Sequence, residues 1–225
     1  MGNNVCNLYP DEREFTPAIA PPQANDPRNM PHEVVAEEEL ILRFKDGSVY
    51  QGQIRDRRPH GMGVLKKPDG SSHDGEWRDG LPQGYGTAIY ANGDNYKGYF
   101  NNGRRDGPNG VYTCKKYVYE GDWKDGAMHG QGMIRWYDGR TFRGDFRNNK
   151  YNGYGEYTYK SGSTYKGNYV EGHRHGRGKI EFRDGSLYQG DWKDDKEIGT
   201  ATYTNPNGNS VIGTWLGEAF QAKRE

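Results

Sequence analysis

Residues 175–192 read HGRGKIEFRDGSLYQGDW, and residues 129–146 read HGQGMIRWYDGRTFRGDF. The two stretches align without a gap at an offset of 46, which is twice a shorter period. With Tyr50 as position 0, the equivalents are His73, Tyr96, Tyr119, Phe142, Tyr165, Tyr188 and Val211, each 23 residues after the last. A glycine stands at position 2 of all eight copies. A bulky residue follows at position 4, namely Ile54, Trp77, Phe100, Trp123, Phe146, Tyr169, Trp192 and Trp215. Five fixed columns hold 31 of the 34 glycines, so the pattern is a repeat and not a compositional bias.

The period converts to structure. Positions 0, 2 and 4 alternate with polar residues, the periodicity of a strand with one buried face. Positions 11, 13, 15 and 17 form a second strand. Position 15 is apolar or aromatic throughout (Leu65, Ala88, Val111, Ile134, Tyr157, Ile180, Tyr203), and position 17 supplies Tyr90, Trp136, Tyr159 and Phe182. Pairs such as Asp69-Gly70, Asn92-Gly93 and Asp138-Gly139 separate the units and predict two-residue type I′ hairpins. The glycines at positions 2, 11 and 13 lack a Cβ, and rings from positions 0 and 4 are expected to lie over the spaces they leave. The fold class is therefore all-β: an elongated single antiparallel sheet of about sixteen strands, built of stacked 23-residue hairpins behind an extended N-terminal tail.

The motif Tyr-x-Gly-x-Trp-x-x-Gly-x-x-x-Gly-x-Gly, fullest from Tyr119 to Gly132, resembles the MORN (membrane occupation and recognition nexus) repeat. The resemblance covers residues 50–217, with a half repeat at 38–47. It implies a stack of curved hairpins that acts as a scaffold on membranes or in cytoskeletal and ciliary assemblies. Repeat-only members recur in axonemes and radial spokes, so a cilium or flagellum is the implied setting. Two copies depart from the pattern. In the third repeat Gly110 sits one residue late and Lys115-Lys116 replaces the turn pair, which reads either as a harmless degenerate copy or as a kink with a local basic site. The seventh has Asp195 and Ala201 where glycine is typical, as suits an end unit. Val211–Trp215 begins an eighth hairpin that the chain is not expected to finish, and LGEAFQAKRE (216–225) is expected to cap the last edge as a short helix. The domain reading is thus a tail at 1–37, a half-repeat cap at 38–49, seven repeats at 50–210, and a partial eighth repeat with its cap at 211–225.

Composition narrows the function. The chain carries 31 basic and 31 acidic residues, and such neutrality argues against a general nucleic-acid binder. No apolar run approaches the roughly 18 residues of a membrane span. Cys6 and Cys114 show no metal spacing and no expected disulfide, which points to a reducing, cytoplasmic setting. There is no Gly-x-Ser-x-Gly, Walker-type loop or HExxH, so no catalysis is expected. His60, His129 and His175 share position 10, but successive repeats are about 10 Å apart, so these rings are too distant to share a metal. Neither a metal nor another cofactor is expected. The basic loops Arg55–Arg58 and His173–Arg177 read more readily as solvated surface than as phosphoinositide sites, and the sequence leaves that choice open.

Two binding classes stay open. In the first, the ring ladder of Tyr96, Tyr119, Trp123, Phe142, Phe146, Tyr165 and Tyr188 remains an open groove for an amphipathic helix or extended peptide of a partner protein. In the second, the chain is a phospholipid-binding module anchored by N-terminal acylation. Gly2 of MGNNVC meets the first requirement of myristoylation, but Cys6 stands where the usual motif has Ser or Thr. Cys6 is itself a candidate palmitate acceptor, which would supply the second signal of a stable anchor. The oligomeric state is left open by these readings.

Overall fold

The computed structural model of the chain describes residues 15–17, 40–216 and 219–223. Among these there is no helix; all regular structure is strand. The chain divides into two compact units, one ending at Arg105 and the other beginning at Asp106.

The first unit contains β1 (Phe15–Pro17), β2 (Leu40–Phe44), β3 (Val49–Arg55), β4 (Arg58–Lys66), β5 (Ser72–Arg78), β6 (Leu81–Ile89), β7 (Asn95–Asn101) and β8 (Arg104–Arg105). The second contains β9 (Gly107–Thr113), β10 (Tyr117–Lys124), β11 (Ala127–Trp136), β12 (Thr141–Arg147), β13 (Lys150–Thr158), β14 (Thr164–Val170), β15 (His173–Glu181), β16 (Leu187–Lys193), β17 (Lys196–Thr204), β18 (Ser210–Leu216) and β19 (Ala219–Ala222). Within each unit every strand pairs antiparallel with its neighbours in sequence, which is the expected meander. The 23-residue period is one two-strand step of that meander. Part of the stretch expected to be tail, Phe15–Pro17, is a strand paired with Leu42–Phe44.

Two kinds of turn alternate, and their chemistry differs from the expectation. The Asp-Gly and Asn-Gly pairs between repeats do not form type I′ turns. At Lys67–Ser71, Gly70 N–H donates to Lys67 C=O and Lys67 N–H donates to Ser71 C=O, and only Gly70 has positive φ. This is a three-residue loop, a type I turn closed by a left-handed glycine. The aspartate acts through its side chain: Asp69 Oδ1 accepts from the Ser71 N–H and hydroxyl at 2.9 and 2.6 Å. The two-residue turns lie inside each repeat instead, at Asp56-Arg57, Asp79-Gly80, Asn102-Gly103, Asp125-Gly126, Asn148-Asn149, Glu171-Gly172 and Asp194-Asp195. Both central residues of each have positive φ.

The glycine columns divide into two classes. Gly132, at position 13, pairs with Gly121 at position 2, and a Cβ there would lie 2.6 Å from the Tyr119 ring. This is the expected role: the ring crosses the glycine pair and Tyr119 OH donates to Asp122 C=O at 2.8 Å. Position 11 is different. Gly130 has φ +57° at a bulge in the β10–β11 register, and its missing Cβ points at Asp122 Oδ2, 2.6 Å away, instead of a ring. That carboxylate accepts the Gln131 N–H freed by the bulge, and Asp145 does the same for Tyr154. Column 11 is therefore kept for backbone conformation, which corrects the packing role expected of it.

The third repeat absorbs its extra residue at Asp106–Asn109, where the second strand is split into β8 and β9 and Asn109 takes φ +54°. Pairing then resumes with Gly110 opposite Gly121 and Tyr112 opposite Tyr119. Tyr112, and not Val111, thus occupies the position-15 column. The C-terminal expectation also fails. Ala219–Ala222 is a strand, with Trp215 opposite Phe220, so the eighth hairpin is finished and its cap is β instead of α. Phe220 lies across Gly213, repeating the ring-on-glycine contact.

Candidate protein-binding surface

The six predicted groove residues of the second unit sit together on one face, but neither they nor Tyr96 of the first unit stand open. Tyr96, Tyr119, Phe142 and Tyr165 have no exposed surface, and Trp123, Phe146 and Tyr188 are also buried. The reason is mutual coverage. Rings at positions 0 and 4 meet edge to face along the sheet, with Tyr119–Phe146 and Phe142–Phe146 centroids at 5.1 Å, Tyr165–Tyr169 at 5.3 Å and Tyr188–Trp192 at 5.6 Å. Position 9 closes what remains. Tyr151 stacks on Phe142 at 3.7 Å, and the Arg174 guanidinium lies 4.0 Å from the Trp192 ring centroid. A one-layer sheet here makes its own second layer from side chains. The ladder is a core, and the expectation that it forms the exposed groove is corrected.

Hydrogen bonds lock that core between repeats. Trp77 Nε1 donates to Gly63 C=O at 2.8 Å and Trp123 Nε1 to Gly110 C=O at 3.2 Å. Burial pushes the Tyr50 phenol up to about 12, and Tyr151, Tyr165 and Tyr169 are raised as well, chiefly by burial. These hydroxyls remain protonated donors at neutral pH. His73 is the exception in the column. It is 1% exposed, lies edge-on to Trp77 and Phe100 at 5.0 and 4.6 Å, and neither ring nitrogen has a hydrogen-bond partner among the described residues.

A second row of rings runs beside the buried ladder in the second unit, on the same face. Tyr112, Tyr117, Trp136, Tyr157 and Tyr159 are each half-buried. Tyr112 faces Tyr119, Tyr157 faces Tyr165, and Trp136 and Tyr159 follow two residues after Ile134 and Tyr157, which fixes the shared face. Successive centroids are 6.1, 6.4, 5.9 and 4.7 Å apart, all in tilted contact. Arg140 lies 5.1 Å from the Trp136 centroid and its Nη1 donates to Tyr157 Oη at 3.3 Å. The row is thus rigid, aromatic and partly open, with a cation at its centre. The opposite face carries ion pairs, Arg135–Glu120 at 2.6 Å, Lys166–Glu156 at 3.0 Å and Arg177–Asp191 at 3.9 Å, together with the exposed Tyr154. Sequence reasoning singled out Trp136, Tyr157 and Tyr159 only as sheet positions, and it missed Tyr112 and Tyr117. The signal for Tyr112 was the one-residue delay of Gly110, which moves the third repeat's aromatic from position 15 to position 16, and that for Tyr117 was its place two residues before Tyr119.

Gly2 and Cys6 lie outside the described residues. Cys114 is a free, half-buried thiol. Among the described residues no group of three or more His, Cys, Asp or Glu is placed to hold a metal ion, and no helix is long and apolar enough to cross a membrane. The basic loops are tied to acidic neighbours, with Arg55 on Asp79 at 3.0 Å and His173 and Arg174 both on Asp195.

Among solved structures the chain is similar to the TCP domain of SAS-4 (dCPAP) of Drosophila melanogaster in complex with a proline-rich motif of Ana2 (dSTIL), at 16% identity and TM-score 0.44. That match covers 84% of this chain and 98% of the other. It is also similar to the TCP10 domain of Danio rerio CPAP, at 14% identity and TM-score 0.45, over 86% and 94% of the two chains. The same domain in complex with a peptide of Danio rerio STIL gives 14% identity and TM-score 0.47, over 83% and 84%. No curated protein sequence matches. The MORN repeat model matches seven consecutive segments, at 50–72, 73–95, 96–117, 119–139, 142–164, 165–187 and 188–210. With the hairpin period, the ring-on-glycine contacts and seven matched segments in agreement, the chain belongs to the MORN repeat family.

Proposed function

We propose that the chain is a non-catalytic scaffold that binds partner proteins through the half-buried ring row of its second unit. The observation that carries this reading is the row itself: five rings in unbroken contact, each partly open, beside a core that needs none of their remaining surface. Rigid amphipathic rings lose little side-chain entropy on binding and are the residues on which interface energy concentrates. On the opposite face, among the described residues of this unit, Tyr154 is exposed but has no row of rings beside it. The family's association with cytoskeletal and ciliary assemblies makes such an assembly the setting we propose, and the repeat-only organisation suits a scaffold that presents a surface without chemistry.

The test is a pull-down from a ciliated cell lysate with the whole chain and with Trp136→Ala and Tyr157→Ala, each checked for its β circular dichroism. Truncating a hot-spot ring costs about 2 kcal/mol, roughly a 30-fold loss of affinity. Folded variants should therefore lose the partners, while Arg177→Ala on the opposite face keeps them. Retention of every partner by the folded ring variants refutes the assignment.

A further inference from the structure

Apart from the ring row, we propose that Glu197, Tyr188 and Trp215 form a slot for the guanidinium of a partner protein's arginine. The fold carries its own template for such a site. Position 9 stands opposite position 4 on the ring face, as Tyr151 faces Phe146, Arg174 faces Tyr169 and Glu197 faces Trp192. From there it reaches the position-0 ring of its own repeat and the position-4 ring of the next. Tyr151 meets Phe142 and Tyr169 at 3.7 and 5.5 Å, and the Arg174 guanidinium lies 5.6 Å from the Tyr165 centroid and 4.0 Å from that of Trp192. Asp195 fixes Arg174 there, its Oδ1 accepting from Nε at 3.2 Å and its backbone carbonyl from Nη2 at 2.8 Å. A planar cation set on two rings and anchored by an acidic residue is thus already built once into this sheet.

The next repeat inverts the charge. Position 9 holds Pro59, Pro82, Arg105, Met128, Tyr151 and Arg174 in the first six repeats, and Glu197 in the seventh. The same register sets Glu197 beside Tyr188 and Trp215, whose centroids are 6.3 Å apart with Trp215 Nε1 donating to Tyr188 Oη at 2.7 Å. The Tyr188 phenol is raised, chiefly by burial, and Glu197 adds to the rise, as a carboxylate near that ring must. The face of a ring is its negative side, so a carboxylate gains nothing from these rings without a cation between them. Yet Glu197 is half-buried and has neither an ion pair nor a hydrogen bond among the described residues. Every other half-buried carboxylate of the unit has one: Asp106 takes the Asp125 N–H, Asp122 that of Gln131 and Asp145 that of Tyr154, while Glu156 holds Lys166 and Asp191 holds Arg177. Trp192, which Arg174 covers, is 1% exposed, whereas Trp215 is half-buried. An open ring beside an unpaired acid selects a cation. The Arg174 site selects a guanidinium, which stacks flat on an indole while its N–H edge meets a carboxylate, as a compact ammonium cannot.

The experiment follows the five indole N–H resonances of the isotope-labelled full chain while Nα-acetyl-arginine amide is added, with the lysine and citrulline amides as comparisons. The Trp215 resonance, assigned by its loss in Trp215→Phe, should shift and saturate with a Kd of roughly 1–10 mM. Citrulline, the neutral isostere, should bind about 10-fold more weakly, and so should arginine to Glu197→Gln, since each loses a charge-assisted hydrogen bond. Glu197→Arg, which supplies the cation from within, should abolish the shift. The Trp192 resonance should stay fixed, because Arg174 already fills its slot. A Trp215 resonance that does not move by about 50 mM arginine amide overturns the proposal. So does a response equal with citrulline, or undiminished in folded Glu197→Gln. Lysine binding as tightly as arginine overturns the choice of a guanidinium. A response confined to Trp136 overturns the slot and leaves the ring row standing.

Discussion

Replacing His73 by tyrosine, the residue this column favours, should both stabilise the protein and remove the sensitivity to mild acid that this buried ring contributes. His73 is enclosed by Trp77 and Phe100, neither ring nitrogen has a partner among the described residues, and burial pushes its pKa down from 6.5 to about 4. The folded-state value is depressed, so between pH 6.5 and 4 the unfolded chain binds a proton that the folded chain refuses. Stability is then full above 6.5 and is lost as pH falls towards 4. At 1.36 kcal/mol per unit, a shift of about 2.5 units corresponds to about 3 kcal/mol. Tyrosine would add a buried hydroxyl that reaches the carbonyl of residue 76, as Tyr50 OH reaches Gln53 C=O at 2.8 Å, worth about 1 kcal/mol. Urea unfolding followed by tryptophan fluorescence at pH 7.5, 6, 5 and 4.2 reads both effects. The gap between His73→Tyr and the natural chain should widen from about 1 to about 4 kcal/mol across the series. Taking the difference cancels the carboxylates common to both chains. A gap that stays constant with pH refutes the buried, partnerless histidine.

Valine at Gly132 should be among the most damaging substitutions in the second unit, because its side chain would meet the Tyr119 ring at 2.6 Å; Lys124→Ala on an exposed strand end should be near neutral by the same melting assay. Gly130→Ala should cost about 1 kcal/mol or more through its φ of +57°, and deleting its neighbour's carboxylate with Asp122→Ala should not rescue it if backbone strain dominates. Tyr165→Ala should cost about 3–5 kcal/mol as a large-to-small core change, whereas Tyr165→Phe, which removes only the bond to Asn168 C=O, should cost about 1 kcal/mol; equal losses would show that packing is not what holds the ladder. Intact-mass analysis of protein from eukaryotic cells tests acylation. An adduct lost with Gly2→Ala is what the membrane-anchor reading requires, and an unmodified mass rejects it.

The period made most of the fold readable, because one hairpin cannot bury its face alone and the sequence must restate the same contact in each copy. Tyr119, Gly121 and Gly132 are legible as a unit: a ring and the two missing Cβ atoms beneath it. Other features were hidden by chemistry that composition does not display. Asp-Gly fits two turn types, and only the backbone distinguishes the three-residue loop at Pro68-Asp69-Gly70 from the two-residue turn at Asp79-Gly80. Column 11 looked like column 13 because both are glycine, yet Gly130 serves a bulge and Gly132 serves a ring. The surface was misread for a related reason. Alternation tells which face carries the rings but not that Tyr151 and Arg174, from another column, cover them. The half-buried Tyr112 joins the row only once the register shift in the third repeat is known.

Site-specific photocrosslinking tests the central claim most directly. Benzoylphenylalanine introduced by Tyr117→benzoylphenylalanine stands in the ring row, and the same probe introduced at Lys179, exposed on the opposite face, serves as its counterpart. Irradiated in a lysate that contains the partners, the first should give covalent adducts identifiable by mass spectrometry, and the second should give none of the same species. Adducts from Lys179 with none from Tyr117 would place the binding surface on the charged face and contradict the account.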